Sequence, residues 1–297
     1  MTSTAGLNLA TAPANCLIIG CGYVGTALAI ELLADGHKVW GLRRHPSQLP
    51  KAVTPIACDL ANLATLRLNF EPDYIFYMPS AGAYEIDLYH LAYVQGLKNL
   101  LLCLKNNQTL PKRLFYISST SVYGQTNGAW VDETTLAVPS GAHAQQLLEG
   151  ENLVQQATDF AHTIVRFAGI YGPQREYFIE QIKTNKMHLS SETIFTNRIH
   201  RDDCVGMLRF LMCYSKPDSM YIGVDSDPAP KNEVIAWLAE KLCCSLPSVS
   251  KEASIPEQRM RGNKRCSNRR LLASGYQLRM PTFREGYAAV LAKSIAH

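Results

Sequence analysis

The chain has 297 residues, 47% of them hydrophobic and 18% charged, a balance that excludes intrinsic disorder. Lysine and arginine number 29 against 25 aspartates and glutamates, and the resulting +4 is too mild to argue for a nucleic acid or a membrane surface as partner. No stretch approaches the roughly 18 uninterrupted apolar residues of a membrane span, and the nine cysteines form no C-x-x-C pair, so no metal site is offered.

At about 150 residues per domain the length suggests two units, or one large α/β unit with a lobe. Residues 1–15 have no basic n-region and no long apolar core, and read as a flexible arm rather than a signal peptide. Several cysteines sit in apolar runs, where a thiol behaves as a small hydrophobe, so the expected compartment is reducing and cytoplasmic. Residues 16–19 then form an apolar strand that stops at Gly20-Cys21-Gly22-Tyr23-Val24-Gly25. A helical pattern over 26–34 closes at Asp35-Gly36, and the next strand, 39–42, ends in Arg43-Arg44. Strand, glycine turn, helix and strand match one βαβ crossover.

The alternation continues with strands at 53–58, 74–78, 113–117 and 163–167 and helices at 86–105 and 142–156. This pattern predicts an α/β fold, a Rossmann-type doubly wound parallel sheet with right-handed crossovers. Beyond Gly172-Pro173 it loosens into helices near 202–214, 231–243 and 284–292 and a loop at 245–258. The expected organisation is an arm at 1–15, a dinucleotide-binding domain at 16–172 and a mixed substrate lobe at 173–297, with 202–214 able to fold back onto the sheet.

Gly20-x-Gly22-x-x-Gly25 follows a strand and opens a helix, the context in which such glycines cradle a pyrophosphate. Glycines at 20 and 22 permit a tight turn and close backbone approach, Gly25 permits close helix–strand packing, and the helix N-terminus adds partial positive charge. An acidic residue about 20 positions on would select NAD. Arg43 and Arg44 stand there instead and suit a 2′-phosphate through charge-assisted bonds, so the expected cofactor is NADP, with NAD second. Asp59 could take the adenine amino group or cap a helix starting at Leu60-Ala61. Tyr23, Val24, Leu60, Pro79 and Ser80, at the same strand ends, complete the candidate cofactor contacts.

These residues resemble the short-chain dehydrogenase/reductase superfamily, and within it the NAD-dependent epimerase/dehydratase family. The landmarks are the glycine turn, Asp59-Leu60, Val94-x-Gly96-x-x-Asn99-Leu100-Leu101 and Tyr116-Ile117-Ser118-Ser119-Thr120-Ser121-Val122-Tyr123-Gly124. Val165-Arg166-Phe167-Ala168-Gly169-Ile170-Tyr171-Gly172-Pro173 and Asn197-Arg198-Ile199-His200-Arg201-Asp202-Asp203 follow in order. The resemblance implies that Ser119 bonds the reacting hydroxyl or carbonyl. Thr120, at the carboxyl end of the same strand, is a candidate substrate contact by position, and Tyr84, just beyond the glycine turn after the 74–78 strand, either faces the nicotinamide and substrate or packs. It also implies that Arg198 and His200 meet the substrate's polar or phosphate group.

The family's acid/base pair, a tyrosine with a lysine four residues later, is missing: none of the fourteen tyrosines has lysine at that spacing. His143 and Leu147 stand where the pair should be. His143 either serves as the acid/base, since imidazole titrates near 6.5 without help, or is a polar residue in a helix's first turn. Six basic residues between 259 and 270 lack interleaved aromatics and read as a solvated loop rather than a nucleic-acid site. The expected function is redox or epimerase/dehydratase-type chemistry on a small polar or nucleotide-linked substrate, in a protein that could form a homodimer. The alternative is a non-catalytic NADP(H) sensor that regulates a partner protein.

Overall fold

Apolar side chains on both faces make β1 (Asn15–Ile19) an interior strand, and Cys16 to Ile19 are fully buried. The computed structural model describes residues 12–249 and 262–295. Most of the expected arm, part of the 245–258 loop and Arg259 and Arg261 therefore lie outside the described residues. After the glycine turn come α1 (Tyr23–Ala34), β2 (Lys38–Arg43), β3 (Thr54–Ala57) and β4 (Tyr74–Tyr77). Then follow α2 (Ile86–His90), α3 (Gly96–Asn106), β5 (Arg113–Ser119), β6 (Ala129–Val131), α4 (Ala142–Gln156), β7 (Ala161–Phe167) and β8 (Gly169–Tyr171). The chain continues through α5 (Tyr177–Lys183), β9 (Arg198–His200), α6 (Arg201–Cys213), β10 (Met220–Gly223), α7 (Lys231–Lys241), β11 (Lys264–Cys266), α8 (Arg269–Ala273) and α9 (Phe283–Ile295).

Seven strands form one parallel sheet in the order β10-β7-β5-β4-β1-β2-β3, a Rossmann-like α/β fold. β1 pairs with β2 on one side and with β4 on the other, so the strand order reverses at β1. Ligands in doubly wound sheets bind outside the carboxyl ends of the strands at such a reversal. The edge strand β3 carries Pro55, which an edge tolerates because one side of its backbone has no strand partner.

The chain divides into two compact units. The first holds residues up to Ile117, with Glu149–Thr163 and Val205–Ser219. Its core includes stacked ring pairs across β4 and β5, Phe76 on Phe115 and Tyr77 on Tyr116. The helix expected over 86–105 is interrupted by a π-turn at Leu91–Gln95 between α2 and α3. Tyr77 explains it: its hydroxyl donates to the Ala92 carbonyl at 2.6 Å, and a Cβ at Gly96 would lie 2.8 Å from that same oxygen. Periodicity could not reveal this, because the partner comes from another strand. Arg209 on α6 donates to Glu31 and to both Asp35 oxygens, tying the 205–219 segment to α1.

The second unit holds Ser118–Leu148, Ile164–Cys204 and the chain from Met220 onward. β6 pairs with β11 and β8 with β9, both in parallel. Its apolar cluster joins Ile179 and Ile182 of α5, Val234 and Leu238 of α7, and Phe283, Tyr287 and Val290 of α9 around Tyr171. Asp203, in the first turn of α6, is fully buried and accepts from the Tyr276 hydroxyl and from the Arg279 and Met280 amides. It is a cross-link between segments as well as an early residue of its helix.

Candidate functional site

In the first unit the site grows from the turn after β1. Gly20 donates to the Leu42 carbonyl and accepts from the Gly22 amide, which folds the chain back on itself. Its φ is +80°, and an added Cβ would fall 2.4 Å from Pro79 Cα and 2.5 Å from the Met78 carbonyl. The turn is thus pressed against the end of β4, and only glycine fits. Gly22 differs: it is exposed, and the nearest atom to an added Cβ is the Gly20 oxygen at 3.8 Å. Space beside a backbone amide is what a phosphate requires. Gly25 is buried with an added Cβ 3.0 Å from Ile18 and 3.1 Å from the Gly20 oxygen, so it sets how closely α1 approaches β1.

Helix α1 starts at Tyr23 with no side chain capping it and no acidic residue in its first turn. Such a start leaves the positive end of the helix facing outward, with Tyr23 and Val24 half-buried beside it. Cys21, inside the fingerprint, is no nucleophile: burial pushes its thiol up to about 11.

Arg43 is half-buried and Arg44 exposed at the end of β2, and neither forms an ion pair among the described residues. The Arg44 guanidinium lies beside Gly82, 3.8 Å from where a Cβ would stand, so it reaches toward the β4 loop. That loop carries Pro79 half-buried, Ser80 exposed, and Tyr84 with 63% of its surface exposed. Asp59, exposed after β3, accepts from the Ala61 amide at 3.1 Å and so closes a turn; the helix expected to start at Leu60-Ala61 is absent, and the short helical turn that follows, Leu63–Thr65, is capped by Asn62. Leu60 is held from behind by Asn99, which donates to its carbonyl at 2.7 Å. Asn99 was legible only as a family landmark; its work on the Leu60 loop spans 39 residues of sequence.

In the second unit, Ser119 is half-buried at the end of β5, and its Oγ accepts from the Ser121 amide at 3.2 Å. The hydroxyl hydrogen is then left to donate. Thr120 is buried, and its hydroxyl bonds the Cys266 thiol rather than facing solvent. His143 is half-buried in the first turn of α4, whereas Leu147, one turn on, is 5% exposed and part of the core. Residues four apart share a helix face, so the face where the family places its lysine is apolar here.

Arg198 and His200 are buried rather than displayed. β9 pairs with β8, and Arg198 lies over the Phe283 ring of α9 at 5.4 Å with its Nη2 donating to Thr196. His200 accepts from the Asp202 amide and meets Tyr171 edge-on at 5.4 Å. A role for either at a substrate would be exerted from inside this unit. Asp225, which sequence reasoning missed, is 1% exposed beside them, and burial pushes its carboxyl up to about 8 despite the opposing Arg198 charge. Its signal was absent because the sequence around it, Val224-Asp225-Ser226, reads as an ordinary turn.

Among the described residues no group of three His, Cys, Asp or Glu could hold a metal ion, and no helix is long and apolar enough to cross a membrane.

The description "NAD dependent epimerase/dehydratase family" belongs to the family model that matches residues 16–206. The chain is similar to the structure of a provisionally assigned NAD-dependent epimerase/dehydratase from Methylobacillus flagellatus, with 36% identity, 96% of this chain and 100% of that chain covered, and a TM-score of 0.81. A conserved protein of unknown function from Silicibacter pomeroyi shares 25% identity, with 94% and 99% covered and a TM-score of 0.75. The UDP-glucose 4-epimerase of Thermus thermophilus, solved with NAD, shares the fold at 18% identity, with 94% and 98% covered and a TM-score of 0.79. No curated protein matches the chain.

Proposed function

Because the chain belongs to the NAD-dependent epimerase/dehydratase family, we propose that it binds a pyridine dinucleotide, NADP(H) ahead of NAD(H), and acts on a small polar, nucleotide-linked substrate of the sugar type. The observation that carries this is the open backbone at Gly22, beside an uncapped helix start with no acidic residue in its first turn. Gly20, Gly22, Tyr23, Val24 and Gly25 would hold the diphosphate. Arg43 and Arg44, which have no carboxylate partner among the described residues, would take a 2′-phosphate, and Asp59, Leu60, Pro79 and Ser80 would border the rest. When bound, the nicotinamide supplies the site that gives or accepts hydride. Ser119 would donate its hydroxyl to the substrate's reacting oxygen, and His143 is the candidate to move a proton there. UDP-glucose is a sensible first substrate because a protein of the same fold is described as acting on it.

Calorimetric titration with NADPH and NADH, on the wild type and on the Arg43→Ser/Arg44→Ser double variant, tests the cofactor assignment. NADPH should bind the wild type more tightly. The variant should lose roughly 10- to 100-fold in NADPH affinity, the worth of one or two charge-assisted bonds, with NADH little changed. Tighter NADH binding by the wild type refutes the preference.

A second reading, a cofactor sensor without turnover, is favoured by one observation: Leu147 is packed in the core where the family's lysine would stand. Turnover that survives in the wild type and falls in His143→Ala excludes the sensor. Nucleotide-dependent binding of a partner protein with no turnover supports it.

A further inference from the structure

Tyr84, Tyr89 and Tyr93 form a ladder of rings in the first unit, and only Tyr84 has entered the site so far. Tyr84 meets Tyr89 edge-on, with centroids 5.9 Å apart and planes at 83°. Tyr89 lies against Tyr93 at 5.4 Å and 47°. Exposure falls along the ladder, from 63% at Tyr84 to half-buried at Tyr89 and Tyr93. The inner end is anchored: Tyr93 belongs to the π-turn that the Tyr77 hydroxyl holds, and its carbonyl packs against Gly150. Burial pushes the Tyr93 phenol up to about 12, so this end stays neutral and ring-like at any working pH.

A single exposed aromatic is ordinary on a protein surface. Two observations set this one apart. It is backed by two further rings rather than by solvent. It also lies two residues past Gly82, in the loop leaving the carboxyl end of β4 where Pro79 packs on Gly20. The open end of the ladder therefore stands on the ligand side of the sheet, at the strand-order reversal. A rigid ring there can accept the face of another ring, a contact that tolerates any flat or apolar-faced partner.

We propose that Tyr84, backed by Tyr89 and Tyr93, is a stacking platform for a ring of the bound ligand, supplied either by the dinucleotide or by the substrate's sugar or base. The platform rests on the dinucleotide-binding reading above. It accounts for a tyrosine kept in solvent at this place.

The test uses Tyr84→Ala, Tyr84→Phe and Tyr84→Trp in the full chain, with thermal unfolding to confirm that each is folded. Each is titrated with NADPH and, with NADPH saturating, with UDP-glucose. Tyr84→Ala should weaken one of the two by about tenfold, within the range of base–aromatic stacking, while Phe and Trp keep wild-type affinity. A loss in the NADPH titration assigns the ring to the cofactor, and a loss in the UDP-glucose titration assigns it to the substrate. Unchanged affinity in both overturns the platform. Equal losses for Phe and Ala overturn it too, because they would assign the effect to the hydroxyl. If the wild type binds neither NADPH nor NADH, the dinucleotide reading itself fails and takes the platform with it; that result is seen before any variant is made.

Discussion

Gly22 and Gly20 lie two residues apart, yet alanine at each should do opposite things. At Gly22 the backbone has a φ of −100°, and the closest atom to an added Cβ is 3.8 Å away, an ordinary contact. Gly22→Ala should therefore change stability by no more than about 0.5 kcal/mol, as surface substitutions do. The new methyl occupies the space where a phosphate oxygen would approach the amides. Losing one charge-assisted hydrogen bond costs about 1.5–3 kcal/mol, which is about 10- to 150-fold in dissociation constant. At Gly20 the same methyl meets Pro79 Cα at 2.4 Å and needs a left-handed backbone at φ +80°. Left-handed alanine costs about 1–2 kcal/mol and overpacking about 1–3. At about 2–4 °C per kcal/mol, the melting temperature should fall on the order of 10 °C. Thermal unfolding without ligand, followed by NADPH calorimetry on the folded variants, reads both effects. Equal destabilisation by the two substitutions would refute the geometry of the turn. Full NADPH affinity in a folded Gly22→Ala would refute the assignment of the cradle.

Two further predictions concern the scaffold. The Asp225 carboxyl is raised to about 8 from an ordinary 3.8, so between those values the folded protein holds a proton that the unfolded chain releases. This group's contribution to stability should therefore be full at and below about pH 4 and be lost toward pH 8, by up to about 1.4 kcal/mol per pH unit. Denaturant midpoints across that range should show a flatter profile for Asp225→Asn, and identical slopes would exclude the buried acid as the source. A Cβ at Gly150 would lie 2.0 Å from the Tyr116 hydroxyl oxygen and 2.6 Å from the Tyr93 carbonyl. Gly150→Ala should lose about 2–3 kcal/mol, as overpacking does. Tyr116→Phe should restore only part of it, because the backbone contact remains; complete rescue in urea unfolding would place the clash wholly on the phenol.

The glycine turn was readable because its chemistry is local: a strand, three glycines and a helix within one short segment leave few alternatives. Helix α4 (142–156) was read with its bounds as found, since the period of its apolar residues is set by the same short stretch. The segment over 86–105 shows the limit. Its period is helical throughout, yet the π-turn depends on a hydroxyl from β4, and no window along the chain contains both partners. Arg198 and His200 show the limit at the site. The family resemblance placed both at a substrate; both are buried, and Arg198 packs over Phe283 of α9, some 80 residues later in the chain.

By itself, then, the order of residues determined the Rossmann-like sheet, the family and the glycine turn after β1, because each follows from apolar alternation and from glycines needed where they stand. Which side chains are buried and which stay exposed was decided only in three dimensions. Burial of Thr120, Leu147 and Asp225, the exposure of Tyr84 and the pinning of Leu60 by Asn99 all arise when distant segments meet. The physical reason is the same in each case. Desolvation and close contact are properties of what surrounds a residue, and those surroundings come from parts of the chain that its neighbours in sequence do not specify.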